Sequence, residues 1–319
     1  MIFKTLSKII IFCTTINFIA ARVPIQEIAL DGLITNPKEE ISGMDWYKDR
    51  LFFLPENLGG YLFMVTKKEI QTIIDSKKSK TLSPKKTKLQ TPNYSNIIPG
   101  FDGFEAIAFN KNKVYLTIEA ENNGIMEAYL VWGYINPKSY EIIINKNNIQ
   151  KLRTPIQIDN LSYESLLVYK KNLLVLYEAN GINLRKKPSQ FLISLDNFSI
   201  KAINAPYIEY RITDATKIAK NKFWAINYYW PGDKKNLKPG VDQLDANDLE
   251  AKNNNTVERL VEFEIKNEMI KFTNKKPINL ILQDGASRNW EGIVRFGESG
   301  FLIATDKYPK MILAYIENK

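Results

Sequence analysis

The chain has 319 residues, 45% hydrophobic and 25% charged, with a net charge of +9, no histidine and one cysteine. That composition is globular, and the length suffices to bury a real core. The missing histidine excludes Ser-His-Asp and Cys-His nucleophile systems, His/Cys zinc sites and haem ligation through His. It leaves acid–base work to carboxylates, Lys, Tyr or water, and metal binding to oxygen ligands, hence calcium or magnesium.

In chain order, residues 1–21 read as a secretory signal peptide. Lys4 and Lys8 precede a short apolar run from Ile9 to Ile19, and Ala20-Ala21 offers a cleavage site. The run is short and broken by Thr14, Thr15 and Asn17, which argues against a membrane span. Cys13 lies within it, so the exported chain, 22–319, has no disulfide framework. Losing the two lysines lowers the net charge from +9 to +7. Ile25–Leu30 then reads as an isolated strand.

From there the chain repeats. Five segments start with a polar marker followed by a short strand: Ser42 in Ile41–Trp46, Glu105 in Phe104–Phe109, Glu164 in Tyr163–Val168, Asp214 in Thr213–Ile218 and Glu291 in Trp290–Arg295. After a polar turn comes a second strand: Leu51–Leu54, Val114–Ile118, Leu173–Tyr177, Phe223–Ile226 and Phe301–Thr305. It ends on a second marker: Glu56, Glu119, Glu178, Asn227 or Asp306. Marker-to-marker spacings are 14, 14, 14, 13 and 15 residues. Two short strands joined by a tight turn bring the chain back to its starting end, so both markers of a repeat belong on one face.

Third strands are expected at Gly60–Val65, Ala128–Tyr134, Gln190–Leu195 and Val257–Ile265, and fourth strands at Ile142–Ile144, Ser199–Ile203 and Met269–Phe272. Four strands per repeat is a β-propeller signature. The final repeat ends after Met311–Ile316, one strand short. The N-terminal strand completes it and closes an all-β, five-bladed ring; a six-bladed ring is the alternative and needs a degenerate blade. Polar inserts are expected near 75–96 and 231–256, the second with a helical turn near Asp245–Lys252. Lys67, Lys68, Lys77, Lys78, Lys80, Lys85, Lys86 and Lys88 crowd the first stretch. They form either a solvated loop or a patch for anionic polymer or membrane surfaces. No nucleic-acid motif accompanies them.

First strands of a propeller line its central channel. Ser42, Glu105, Glu164, Asp214 and Glu291 are therefore expected to converge there. Uncompensated acids repel, and a hard cation relieves this, calcium in preference to magnesium. The plain alternative is that they cap backbone amides or pair with lysines. The second markers Glu56, Glu119, Glu178, Asn227 and Asp306 would form a wider rim, with Glu119 or Glu178 available as a base. Arg211 and Arg288 could clamp an anion, or simply pair with nearby acids. Trp230, before Pro231-Gly232, is the best candidate for an exposed ligand platform.

The run Gly103-Phe104-Glu105-Ala106-Ile107-Ala108 with Val114-Tyr115-Leu116-Thr117-Ile118-Glu119 resembles blades of the esterase-like phytase propeller family. So does Asn289-Trp290-Glu291-Gly292-Ile293 with Leu302-Ile303-Ala304-Thr305-Asp306. That resemblance implies an exported propeller. A second likeness is to calcium-activated nucleotidases of the apyrase type, five-bladed propellers with an axial calcium held by a Ser or Glu from each blade. Ser42, Glu105, Glu164 and Glu291 match that order by type; Asp214 departs from it, with Thr213 as an alternative hydroxyl, and that family's nucleotide-contacting motifs are absent.

Three functions follow. The first is an exported calcium-binding propeller that takes a small anionic ligand or a protein partner at its acidic mouth. The second is a calcium-dependent phosphoesterase or nucleotidase-like hydrolase. The third is a surface-interaction protein acting through the lysine-rich insert.

Overall fold

The computed structural model describes residues 22–57, 59–76, 81–244, 255–283, 287–298 and 300–318. The expected signal peptide, Lys77, Lys78, Lys80 and the expected turn at Asp245–Lys252 lie outside these residues. The described chain is all-β and propeller-like. It is built from successive antiparallel meanders in which each strand pairs with the next.

After β1 (Gln26–Ile28), the first meander is β2 (Ile41–Tyr47), β3 (Arg50–Pro55), β4 (Tyr61–Thr66) and β5 (Lys85–Gln90). The second is β6 (Phe101–Asn110), β7 (Lys113–Asn122), β8 (Ile125–Ile135) and β9 (Ile142–Leu152). β10 (Ser165–Tyr169), β11 (Asn172–Leu176), β12 (Ser189–Ser194) and β13 (Ile200–Asn204) follow. Then come β14 (Arg211–Ala215), β15 (Lys222–Tyr229), β16 (Val257–Lys266) and β17 (Met269–Phe272), with β18 (Ile278–Asn279) added beside β16. β19 (Trp290–Phe296), β20 (Gly300–Thr305) and β21 (Leu313–Glu317) end the chain. β1 pairs antiparallel with β21, Gln26 opposite Tyr315, so the N-terminal strand supplies the last sheet's outer strand. This covers an edge that would otherwise be open to another chain.

Outer strands join neighbouring meanders through short parallel contacts. β5 meets β9 at two residue pairs and β13 meets β17 at one, so the sheets run as four, eight and nine strands. The first strands pack on one another in turn: β2 on β6, β6 on β10, β10 on β14, β14 on β19, and β19 on β2. Apolar clusters fill the spaces between adjacent meanders. In one of them Phe52 lies 5.0 Å and Tyr47 5.4 Å from the ring of Phe109. Second strands are covered on both faces, and β3 and β11 accordingly read as unbroken apolar runs, Leu51–Leu54 and Leu173–Leu176.

Two-residue turns connect first and second strands, with Tyr47 opposite Arg50, Asn110 opposite Lys113 and Tyr169 opposite Asn172. Their leading residues Lys48, Lys111 and Lys170 adopt positive φ. The turns return the chain to the end where each first strand began.

The stretch expected as a polar insert near 75–96 departs from that reading. A helix, α1 (Lys67–Ile74), precedes it, and β5 lies within it. Thr66 and Glu69 form a capping box that starts α1, and Ile70 is its buried anchor. β5 reads Lys-Lys-Thr-Lys-Leu-Gln, with only Thr87 and Leu89 buried. An outer strand is half-solvated, so its pattern is too polar to announce a strand. The described lysines of the crowd are thus spread over a helix start and a strand; Lys86 lies 4.1 Å over the ring of Tyr61.

Candidate functional site

First strands begin, and second strands end, around one mouth of the fold. Their polar ends enclose a cavity of about 1190 Å³. Its wall carries eight carboxylates, Glu40, Glu56, Asp102, Glu105, Glu119, Glu164, Glu291 and Asp306, against two cations, Arg211 and Lys307. Tyr228, Trp230, Pro231 and Tyr308 also line it. The wall is locally built: Phe104 N–H donates to Glu56 O at 2.9 Å, and a Cβ at Gly103 would stand 2.3 Å from Glu56 Cγ. Only glycine lets the β6 backbone lie against that side chain.

Crowding acids in a half-enclosed space makes ionisation costly. Burial pushes Glu56 up to about 9, with Glu40, Glu291 and Asp102 adding repulsion. Glu119 rises to about 8 through burial and Glu178, opposed by Arg211. Glu291 rises to about 8 through burial and Asp306. Glu105 and Glu164 are held well above the usual carboxylate range by burial first and acidic neighbours second. Asp306 is raised by burial. Among the described residues, Glu119 Oε2 is buried without a hydrogen-bond partner although its residue lines the cavity.

Glu105, Glu164 and Glu291 of the expected inner ring, Glu56, Glu119 and Asp306 of the rim, Arg211 and Trp230 all line this cavity. Glu178 stands behind the wall, fully buried. Its Oε1 accepts from Ser162 N–H at 2.7 Å and its Oε2 from Arg211 Nε. Arg211 also donates to Asn160 O at 3.1 Å, so the guanidinium is committed to the wall.

Like Glu178, four further residues of the repeat pattern do not line the cavity, each for a hydrogen-bonding reason. First strands diverge around the axis and leave backbone groups that side chains must satisfy. Ser42 Oγ donates to Phe104 O at 2.5 Å, bridging β2 to β6. Asp214 lies below the cavity, where Oδ1 accepts from Ala215 N–H and Oδ2 from Ile293 N–H, both at 2.7 Å. Asp45 does the same for Trp46 and Phe109. Asn227 is fully buried, donating to Glu209 O and Arg211 O and accepting from Arg259 Nε at 2.8 Å. Arg288 is turned away from the lining and donates to Glu258 Oε2 from Nε and Nη2 at 2.9 and 2.6 Å, with Trp290 Nε1 on the same oxygen.

Glu40 and Asp102 escaped the repeat reading. They flank markers, two residues before Ser42 and three before Glu105, and the repeat signal weights marker positions alone. At the far end of the first strands, Lys217 pairs with Asp45 at 3.0 Å and the remaining space is only about 10 Å³.

Among the described residues, no three acidic or cysteine side chains gather into a group that could hold a metal ion; the carboxylates are spread around the wall. Among the same residues no helix is long and apolar enough to cross a membrane.

No family model matches the chain. No curated protein matches it in sequence. Solved structures do resemble it. A mutant α-L-arabinanase of Cellvibrio cellulosa has a TM-score of 0.50 at 10% identity over 86% of this chain and 90% of its own. A luciferin-regenerating enzyme gives 0.47 at 6% over 92% and 97%. A mannose phosphorylase of Leishmania mexicana gives 0.47 at 12% over 93% and 88%. At such identities the arabinanase likeness is one of fold, and it agrees with the propeller-like architecture.

Proposed function

We propose that this is an exported five-bladed propeller whose acidic mouth binds cations, calcium being the first to test. The observation that carries the reading is the eight-to-two excess of carboxylates over cations around one cavity. Five blades are supported by the cyclic packing of β2, β6, β10, β14 and β19 and by the pairing of β1 with β21. Export rests on the character of residues 1–21; recovery of a secreted chain beginning at Arg22 tests it.

The all-oxygen donor set suits calcium, which accepts water among its six to eight ligands. Because the acids are dispersed, Glu105, Glu164 and Glu291 would have to share the ion with water rather than enclose it. Calorimetric titration at pH 7 in two buffers of different ionisation enthalpy is the experiment. Glu56, Glu119 and Glu291 hold protons near that pH, so calcium binding should release protons and raise the melting temperature. Replacing Glu105 and Glu164 together with Gln should abolish both effects. Absence of heat, proton release and melting shift in the unaltered protein would remove calcium from the reading.

The phosphoesterase reading is less well served. Its anion clamp needed Arg211 and Arg288, and both are committed to buried carboxylates, Glu178 and Glu258.

A further inference from the structure

We propose that the ligand of this mouth is a small organic polyamine, its ammonium groups held by the carboxylates and its hydrocarbon stem laid on the exposed ring of Trp230. The proposal rests on the cation-binding reading above and names the class of cation. Three observations carry it beyond an excess of acid. The first is size: a cavity of about 1190 Å³ with dispersed carboxylates suits several separated positive charges on one molecule. A bare ion would fill little of it, and no three acids are gathered to hold one among the described residues.

The second is the exposed ring of Trp230. Trp230 is 45% and Tyr308 60% exposed while both line the cavity. The indole is packed on the backbone of Gly232, where a Cβ would stand 2.0 Å from the ring. Its orientation is therefore set by the fold, and so much exposed aromatic area is retained at an aqueous mouth. Aromatic faces attract ammonium groups and cover methylene stems.

The third is an internal precedent. Lys307 extends its own ammonium to Glu40 and holds it 5.6 Å over the ring of Tyr308. An alkylammonium between a carboxylate and an aromatic face is the recognition proposed for the ligand, already made once by the chain. Glu119, which also lines the cavity, has an oxygen buried without a hydrogen-bond partner among the described residues.

The test is calorimetric titration with spermidine at pH 7 of the full secreted chain and of the Trp230→Ala and Glu119→Gln variants, with calcium titrated in parallel. Spermidine should bind at one site, about tenfold more weakly in Trp230→Ala and at least that much more weakly in Glu119→Gln. Calcium affinity should be unchanged by Trp230→Ala. Spermidine binding that ignores Trp230→Ala would overturn the Trp230 assignment while leaving the cation site standing. Calcium binding without spermidine binding would overturn the polyamine class alone. If neither binds, the cation-binding reading falls with it.

Discussion

Replacing Glu119 with Gln should make the protein more stable at neutral pH and a poorer binder of cations. In the folded protein Glu119 keeps its proton up to about 8, against an ordinary 4.5, because it is buried beside Glu178. Its contribution to stability is fully present below 4.5 and is lost as the pH rises through 8, since the unfolded chain gives up the proton first. At pH 7 the gap is about 2.5 pH units, which at about 1.4 kcal/mol each makes the retained proton cost about 3 kcal/mol. Gln keeps the shape and the neutral state without a proton to hold. Denaturant unfolding of both proteins from pH 4 to 8.5 is the assay. The curves should nearly coincide at pH 4 and separate steadily, with Glu119→Gln ahead by up to about 3 kcal/mol at pH 7. A gap independent of pH, or a variant less stable at pH 7, would refute the reasoning. Stability gained together with binding lost marks a residue kept at a cost to the fold.

Asp214→Ala should behave in the opposite way. It orphans the buried N–H groups of Ala215 and Ile293, costing about 3 kcal/mol in unfolding experiments while leaving calcium titrations of the folded protein unchanged. Arg288→Ala strands Glu258 in the interior, and thermal or denaturant unfolding should report a loss of about 4 kcal/mol. Ligand titrations at a temperature where that variant stays folded should match the unaltered protein. Deleting residues 22–30 uncovers β21, and light scattering should show association with a lowered melting temperature. A monomer of unaltered stability would mean that β1 contributes nothing to closure.

Much of the architecture could be read from residue order because a propeller writes its repeat locally. The near-constant interval between Glu105 and Glu119, or Glu164 and Glu178, reflects strand length plus a two-residue turn, both short-range properties. The place of β1 was legible for a related reason: the last repeat lacks a strand and Ile25–Leu30 has no other partner. β5 was not legible, since one of its faces is solvated and its lysines carry no apolar alternation.

For the site, residue order determined which chemistry was available: no histidine, and carboxylates recurring where strands begin and end near the axis. That suffices to bring Glu56, Glu105, Glu119, Glu164, Glu291 and Asp306 to one mouth. Tertiary structure alone decided which polar groups remain free. Asp214 and Glu291 look alike as markers, yet Asp214 meets two backbone N–H groups and Glu291 faces the cavity. Arg211 and Arg288 look alike as clamps, and each meets a buried carboxylate supplied by another part of the chain, Glu178 or Glu258. Spacing along the chain determines where a side chain starts. Whether it is consumed by the fold or left for a ligand depends on the partner that strands distant in sequence bring within hydrogen-bonding reach.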